Sequence, residues 1–187
     1  RLEAALADGK PGQALLLIDL DHFKEVNDTL GHDVGDAFLC SVAERLQDVV
    51  GSHGTVARLG GDEFAVLAST PDRAAAQALS EMLLSHLRRP IAFAGQSTPV
   101  RVSAGLAVCP EDGSSATELL KSADIALYSG KTRGRSAFVA YQPKLREDME
   151  LRLAVCSQVR AGIERDEFEP YYQPKICLRT GGIAGFE

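Results

Sequence analysis

The segment at residues 58–64, which reads RLGGDEF, places two adjacent carboxylates next to two glycines. Apolar, alternating residues flank it on both sides, so we expect two strands joined by a tight hairpin. Gly60 and Gly61 would form the turn, because glycine reaches positive φ without steric cost. The turn would lift Asp62 and Glu63 to the tip beside bare backbone, as a metal-bound polyphosphate requires. Taken alone, however, such a turn is more typical of an ordinary surface hairpin.

A third carboxylate, Asp19, ends an apolar run at residues 14–18 that we interpret as a central strand buried on both faces. If this strand lies beside the hairpin, Asp19 and Asp62 converge. Unneutralised carboxylates at one place repel each other, and divalent cations remove that repulsion. Mg²⁺ favours a few carboxylates plus substrate phosphate oxygens, and two such ions can promote displacement of pyrophosphate by a hydroxyl.

Six other polar residues have simple local explanations when each is taken singly. Two acids precede predicted helices and are typical N-caps, and a third acid lies in a first helical turn, where the helix dipole favours it. An asparagine suits the turn near Gly31, and two cations suit a helix C-terminus. In that order, the residues are Asp21, Asp33, Asp36, Asn27, Lys131 and Arg135.

Hydrophobic periodicity predicts the elements that must position these residues, in the order β-α-α-β-β-α-β-α-β. This order mixes hairpins with helical crossovers, so we predict an α+β domain with a mixed, largely antiparallel central sheet covered by helices. The chain starts inside a predicted helix at residues 2–6. After the first strand, the predicted elements are a short helix ending near residue 31, a helix at 34–50, the hairpin, a helix opened by residues 71–72, a strand at 100–108, a helix from 116 to about 134 and a strand at 138–140.

These segments, taken together and in order, resemble the GGDEF domains, the bacterial diguanylate cyclases. Several motifs at compatible spacing make a chance match very improbable. The resemblance covers residues 1–141 and lacks the usual opening segment of the family. The matching segments are residues 19–28, 31–36, 58–64, 102–105 and 123–128, followed by Lys131 and Arg135.

The resemblance implies both the fold and the roles at the reaction centre. The fold would be the nucleotidyl-cyclase-like fold of the family. The metal ligands would be the side chains of Asp19 and Asp62 with the carbonyl of Leu20, and the ion would be Mg²⁺ or Mn²⁺. Asp62 and Glu63 would be the catalytic residues: Asp62 would help to activate the ribose 3′-hydroxyl, and Glu63 would support the metal site.

The resemblance also implies how GTP would be bound. Asn27 and Asp36 would recognise guanine, whose Watson–Crick edge offers N–H donors that adenine lacks as a pair, and His32 would lie near the nucleotide. An unpaired buried carboxylate would penalise adenine. The remaining substrate-binding residues would be Gly60 and Gly61 in the turn, and Lys131 and Arg135 at the terminal phosphates.

The sequence departs from the family pattern at two further places. Many members carry an Arg-x-x-Asp product-inhibition site just before the signature, but residues 51–54 read GSHG and supply neither charge. The position after Arg135 is often asparagine and is Ser136 here. We therefore expect no high-affinity product inhibition through residues 51–54.

Past residue 141 the character of the chain changes. Residues 142–167 are predicted to form a charged helix with one apolar stripe, either packed on its own domain or connecting two domains. Residues 168–187 resemble the opening of an EAL phosphodiesterase domain, a barrel of roughly 250 residues in the TIM class. Twenty residues of such a barrel cannot form a catalytic site, so the chain resembles a piece of a GGDEF–EAL tandem protein.

The composition is ordinary for a globular protein, with 45% hydrophobic and 25% charged residues. A net charge of −6 argues against nucleic acid as a partner, but it is compatible with a nucleotide bound through metal ions. The four cysteines form no CxxC pair and suit a reducing cytoplasm. No apolar run approaches the ~20 residues of a membrane helix. We expect a cytoplasmic domain, and a membrane anchor elsewhere in a longer protein stays open.

Three functions remain to be distinguished. The first is a diguanylate cyclase in which two GTP molecules, one in each subunit of a homodimer, condense to cyclic di-GMP and two pyrophosphates. The second is a regulatory module that binds GTP and controls an attached EAL phosphodiesterase. The third, a purely structural dimerisation domain, fits poorly with so complete a set of polar residues.

Overall fold

The computed structural model describes residues 2–3, 12–93 and 96–187. The helix predicted at residues 2–6 falls mostly outside these ranges. The described residues group into two compact units, Arg1–Glu147 and Asp148–Glu187. The first unit contains a mixed central sheet and the helices around it, so the predicted α+β class is confirmed.

The central sheet has five strands in the order β2-β3-β1-β6-β7. The pairs β2–β3, β3–β1 and β1–β6 are antiparallel, and β6–β7 is parallel. Every residue of β1 is buried, as its unbroken apolar run predicts for a central strand. The strands are β1 (Gln13–Leu20), β2 (Gly54–Gly60), β3 (Glu63–Ser69), β6 (Val102–Cys109) and β7 (Phe138–Ala140).

Helices cover both faces of this sheet. The first three helices share one hydrophobic core with alternate residues of β1, namely Leu16, Ile18 and Leu20. The fourth packs against β1, β6 and β7, and Leu17 and Leu127 line one cavity there. The four helices are α1 (Phe23–Leu30), α2 (His32–Val50), α3 (Arg73–Leu87) and α4 (Ala116–Thr132).

Local sequence signals explain two of the helix starts. Asp72 caps α3, because its side chain accepts a hydrogen bond of 2.8 Å from the backbone N–H of Ala75. Ser115 and Glu118 form a reciprocal capping box at the start of α4. A small hairpin, β4 (Ile91–Phe93) with β5 (Gln96–Thr98), was not predicted, because three-residue strands leave little periodic signal.

The N-cap interpretations of Asp21 and Asp33 are wrong. The residue at the N-cap of α1 is His22, and Asp21 turns its side chain into the domain. Helix α2 begins at His32, two residues earlier than predicted, so Asp33 lies inside its first turn. Asp36 consequently lies beyond the first turn, where the helix dipole has little influence.

The second unit contains most of one helix and a small sheet. Helix α5 (Pro143–Glu164) crosses the division between the units. It is followed by a two-stranded antiparallel sheet of β8 (Pro174–Ile176) and β9 (Ile183–Phe186). Several large apolar side chains of this unit are exposed, among them Phe168, Tyr171 and Leu178. None of the described helices is long and apolar enough to cross a membrane.

Candidate active site

The end of β1 lies directly beside the glycine turn. Asp19 is the cross-strand partner of Glu63 in the antiparallel β1–β3 register. The backbone N–H of Leu20 donates a hydrogen bond of 3.2 Å to the carbonyl of Asp62. The structure therefore brings Asp19, Leu20, Asp62 and Glu63 together at one edge of the sheet, where β1 ends and β3 begins.

The turn itself differs in detail from the prediction. Gly60 and Glu63 are paired strand residues, so the two-residue loop consists of Gly61 and Asp62 rather than of the two glycines. Only Gly61 has a left-handed backbone, with a φ of 51°. Arg58 braces the loop, because its Nε donates a hydrogen bond of 2.9 Å to the carbonyl of Gly61.

The backbone of the turn is open on the outside. A Cβ atom built on Gly60 or Gly61 would meet no other atom within 4 Å. Packing therefore does not require glycine at position 60, and its φ is one that other residues adopt. Asp62 is half-buried and Glu63 is exposed beside this bare backbone. The loop leaves room for a large anionic group next to both carboxylates.

Asp19 is a buried carboxylate in an unfavourable electrostatic environment. Its Oδ2 lies 2.6 Å from Nζ of Lys131, which projects from the last turn of α4. Burial raises the pKa of Asp19 above its ordinary value of 3.8, the Lys131 ion pair opposes that shift, and the negative charges of Asp62 and Asp21 add to it. A cation at this edge of the sheet would stabilise the charged carboxylate against burial and against the repulsion of its acidic neighbours.

The donor set fits a metal ion that is completed by its substrate. No group of three or more His, Cys, Asp or Glu side chains suited to a metal occurs among the described residues. Mg²⁺ needs no such cage, because it typically takes one or two protein carboxylates plus waters and phosphate oxygens. Asp19 already holds one cation, the Lys131 ammonium, on Oδ2. The Asp19 and Asp62 carboxylates and the Leu20 carbonyl therefore suit a divalent cation that arrives with a polyphosphate.

The two residues expected at guanine are neighbours across α1 and α2. The side-chain Oδ1 of Asn27 lies so close to Gly35 that a Cβ there would approach it to 1.8 Å, which explains why glycine occupies this position. Asp36, the next residue, lines a cleft of about 500 Å³ together with Arg58 and Phe64. Asn27 is not among the residues lining that cleft. The structure thus places Asn27 against the start of α2 and Asp36 toward the hairpin.

The remaining predicted site residues lie at the surface. His32 is exposed at the start of α2. Arg135 is exposed just beyond the end of α4 and has a left-handed backbone with a φ of 63°. Lys131 lies one helical turn earlier and reaches Asp19, so its position reflects more than a favourable helix C-terminus.

Two polar residues near the site, Asp21 and Ser103, were not predicted to interact. The Oγ of Ser103 donates to both carboxylate oxygens of Asp21, at 2.9 and 3.0 Å. They lie 82 positions apart in the chain, and no local pattern signals such a pair. The available signal was the appearance of both residues within family-like motifs, at residues 19–28 and 102–105.

The sequence comparisons agree with this geometry. The family model described as "Diguanylate cyclase, GGDEF domain" matches residues 1–137. The chain belongs to the GGDEF family. The central sheet apart from β7, the glycine hairpin and the acids at the end of β1 all lie within the matched region.

Relatives of known sequence are much longer than this chain. A cyclic di-GMP phosphodiesterase of Pseudomonas aeruginosa, NbdA, is 38% identical over 188 residues, which cover 100% of this GGDEF chain and 24% of the relative. A bifunctional diguanylate cyclase/cyclic di-GMP phosphodiesterase of the same organism, MucR, is 36% identical over 93% of the chain and 25% of its own length. The chain therefore spans about a quarter of these curated relatives.

Solved structures match the first unit. The GGDEF domain of TpbB, also called YfiN, from Pseudomonas aeruginosa superposes with a TM-score of 0.76 at 34% identity, covering 80% of this chain and 90% of that one. The GGDEF domain of DgcB from Caulobacter crescentus, solved with c-di-GMP, gives a TM-score of 0.67 at 28% identity, covering 74% and 85%. The nucleotidyl-cyclase-like GGDEF fold predicted from the resemblance is thereby confirmed.

Proposed function

We propose that this GGDEF domain is an active diguanylate cyclase that condenses two GTP molecules into cyclic di-GMP and two pyrophosphates. The observation that carries the proposal is the grouping of Asp19, Asp62 and Lys131 at the open edge beside the glycine turn. A module that only holds the fold together would have no need of a buried, destabilised carboxylate facing bare backbone. The bifunctional relative MucR and the GGDEF domain of DgcB solved with c-di-GMP support the same chemistry.

Two Mg²⁺ ions, or Mn²⁺, would supply charge neutralisation at the α-phosphate and at the leaving pyrophosphate. Asp19, Asp62 and the Leu20 carbonyl would hold these ions. Asp62 would also accept the proton of the ribose 3′-hydroxyl, and Glu63, the cross-strand partner of Asp19, would orient the metal site. The backbone at Gly60 and Gly61 gives the phosphates close access.

Lys131 in the last turn of α4 and Arg135 just beyond it would bind the far end of the nucleotide. Lys131 would exchange its contact with Asp19 for the terminal phosphates when a metal neutralises that carboxylate. Arg135 would add a second, permanently charged donor. Asn27 and Asp36 would select guanine through its N–H donors, and exposed His32 would lie at the rim.

The reaction needs two copies of the domain. Each 3′-hydroxyl must attack the α-phosphate held by the other copy, so the active species is a homodimer with two half-sites facing each other. A monomer would bind GTP but present no acceptor. Cyclic di-GMP would be the product and also a ligand.

The deciding experiment incubates the chain with GTP and Mg²⁺ and quantifies cyclic di-GMP and pyrophosphate. We expect two pyrophosphates for each cyclic product, no reaction with ATP and no reaction after chelation of the metal. Asp62→Asn should lose at least about a hundredfold in rate while retaining the fold by circular dichroism. Unchanged activity of that variant would refute the assigned chemistry.

A regulatory function is favoured by a different observation. One relative that covers the whole chain is named a phosphodiesterase alone. In this alternative the domain binds GTP without turning it over and controls an attached EAL domain. Calorimetry would then show that GTP binds, and a product assay would find no cyclic di-GMP at protein concentrations that permit dimers. This result would select the regulatory function over the cyclase.

We also propose that residues 168–187 open an EAL domain and that residues 142–167 connect it to the GGDEF domain of residues 1–141. The exposed apolar side chains of the second unit suit a segment that packs against further chain. The proposed setting is the cytoplasm, where GTP is available. In a longer segment that continues past residue 187, Tyr171 and Leu178 should be protected from labelling by a reagent in the solvent. Labelling equal to that of the present chain would contradict the assignment.

A further inference from the structure

Asp21 is a buried carboxylate that takes no part in the proposed chemistry. It lies immediately after β1 and is 8% exposed. Its carboxylate accepts hydrogen bonds from the Oγ of Ser103 at 2.9 and 3.0 Å and from the backbone N–H of Ser136 at 2.8 Å. Its own backbone N–H donates to the carbonyl of Arg101. Asp21 therefore joins the end of β1, strand β6 and the segment after α4.

The segment held by Asp21 has an unusual backbone. Gly134, Arg135 and Ser136 are three consecutive left-handed residues, with φ values of 118°, 63° and 51°. For residues other than glycine this conformation costs on the order of 1 kcal/mol each, so partners must hold it. The backbone N–H of Arg135 donates to the carbonyl of Gly130 at 3.3 Å, and that of Ser136 donates to Asp21 at 2.8 Å.

This left-handed turn belongs to the proposed phosphate grip, by which we mean the two cations Lys131 and Arg135 that would bind the terminal phosphates. It begins directly after the helical turn that carries Lys131, and it contains Arg135 itself. Lys131 in turn reaches Asp19, which precedes Asp21 by two positions on the same chain segment. A change in the turn would move both cations relative to the carboxylates of the site.

We infer that Asp21 is a positioning residue: it fixes the left-handed turn at residues 134–136 and thereby aims Lys131 and Arg135 at the terminal phosphates. The inference rests on the proposed GTP binding. A role for Asp21 as an additional metal ligand is disfavoured, because both of its oxygens already accept hydrogen bonds from Ser103 and one also accepts from Ser136.

Two substitutions separate positioning from metal binding. Asp21→Asn keeps one carbonyl oxygen for the Ser136 N–H and offers an amide donor to the Ser103 hydroxyl, which can accept. It removes the negative charge and one acceptor oxygen, but it keeps a side-chain partner for each of the two serines. Asp21→Ala removes every side-chain bond. A positioning role predicts that asparagine rescues what alanine loses, whereas a metal ligand would be lost in both variants.

The first measurement is independent of any ligand. Amide hydrogen exchange at Ser136, followed by NMR, should be at least about tenfold faster in Asp21→Ala than in the parent chain, and near the parent rate in Asp21→Asn. Asp72→Ala serves as the matched control, because it removes a carboxylate that caps α3 and does not touch the turn. Unchanged exchange at Ser136 in Asp21→Ala would overturn the inference by itself.

The second measurement compares two nucleotides that cannot cyclise, 3′-deoxy-GTP and 3′-deoxy-GMP, by calorimetry with Mg²⁺. Asp21→Ala should lower the affinity for the triphosphate about tenfold and the affinity for the monophosphate less than about twofold, because only the triphosphate reaches the phosphate grip. The double variant Asp21→Ala, Lys131→Met should lose less affinity for 3′-deoxy-GTP than the product of the fold losses of the two single variants. Equal losses for both nucleotides, or equal losses in the asparagine and alanine variants, would overturn the inference.

Different outcomes refute the proposed function and the positioning role of Asp21. If the parent chain binds neither nucleotide, the proposed function fails, and the phosphate grip fails with it. If the parent chain binds 3′-deoxy-GTP and Asp21→Ala binds it equally well, the proposed function stands and only the positioning role is refuted.

Discussion

Two buried aspartates, each paired with one cation, occupy opposite ends of the central sheet in this GGDEF domain. Asp112 meets Arg73 at 2.7 Å and Asp19 meets Lys131 at 2.6 Å. The oxygens of Asp112 are both used, because Oδ1 accepts from Arg73 and Oδ2 accepts a 2.8 Å bond from the Val108 N–H. Asp19 instead has acidic neighbours, and burial raises its pKa.

We interpret the Asp112 end as structural and the Asp19 end as part of the proposed ligand site. At the Asp112 end the hydrogen bond from Arg73 to that carboxylate raises the pKa of Arg73 despite burial, and Glu111 adds a second ion pair. Both carboxylates there form an ion pair with Arg73, and both oxygens of Asp112 have a partner within the protein. At the Asp19 end the charges are compensated only in part, which is the expected state of a site that is completed by a metal and a nucleotide.

The largest expected effect comes from removing the structural aspartate. Asp112→Ala leaves the Arg73 guanidinium and the Val108 N–H without their main partner and should lower the free energy of unfolding by about 3 kcal/mol. Urea denaturation measures this loss. The folded fraction should still bind GTP with unchanged affinity. A loss below about 0.5 kcal/mol, within the range of ordinary surface substitutions, would contradict the structural role.

A smaller effect is expected from filling the open side of the turn. Gly60→Ala should leave the unfolding free energy nearly unchanged, because its Cβ meets no atom within 4 Å. It should nevertheless weaken GTP binding by about tenfold, or ~1.4 kcal/mol, by obstructing the approach of the phosphates. Gly61→Ala is the comparison, since its φ of 51° makes alanine costly in stability. Full GTP affinity in Gly60→Ala would show that the bare backbone is not used.

The third prediction concerns the pH dependence of stability. The pKa of Asp19 is raised in the folded state, so its contribution to stability is complete below the ordinary value of 3.8 and is lost as the pH rises through the folded pKa. Asp19→Asn should therefore stabilise the metal-free domain at pH 7 by on the order of 1 kcal/mol. Lys131, half-buried at the surface, can then turn to solvent.

Urea denaturation of the parent chain and Asp19→Asn across acidic to neutral pH tests this prediction. The advantage of the variant should shrink toward the acid limit and should also shrink when Mg²⁺ and GTP are added to the parent. A variant that is less stable than the parent at pH 7 would show that the Lys131 pair outweighs the cost of burial.

The smallest effect is expected at residues 51–54, where Gly51–His53 form a short 3₁₀ turn after α2 and Gly54 begins β2. They offer neither the planar cation nor the acceptor of an Arg-x-x-Asp site. Binding of added cyclic di-GMP to this segment should change the initial rate less than about twofold. The substitution His53→Ala should also change the initial rate less than about twofold. Strong inhibition with the product bound at residues 51–54 would prove the prediction wrong.

The sequence alone was sufficient for the elements that carry strong local signals. The unbroken apolar run at residues 14–18 predicted a central strand, and β1 is buried along its whole length. The helix start at residues 71–72 and the glycine hairpin were also predicted from local residue types. Family-like motifs supplied the candidate site residues, and their catalytic roles stay predictions.

Only the tertiary structure could decide which polar groups meet. Asp21 has the local pattern of an N-cap, yet its carboxylate accepts hydrogen bonds from Ser103 and Ser136, which lie 82 and 115 positions further along the chain. Lys131 looks like a helix C-terminal cation, yet it neutralises Asp19. Such pairings depend on strand order and register, because sequence periodicity fixes the face of an element but not the neighbour that it faces.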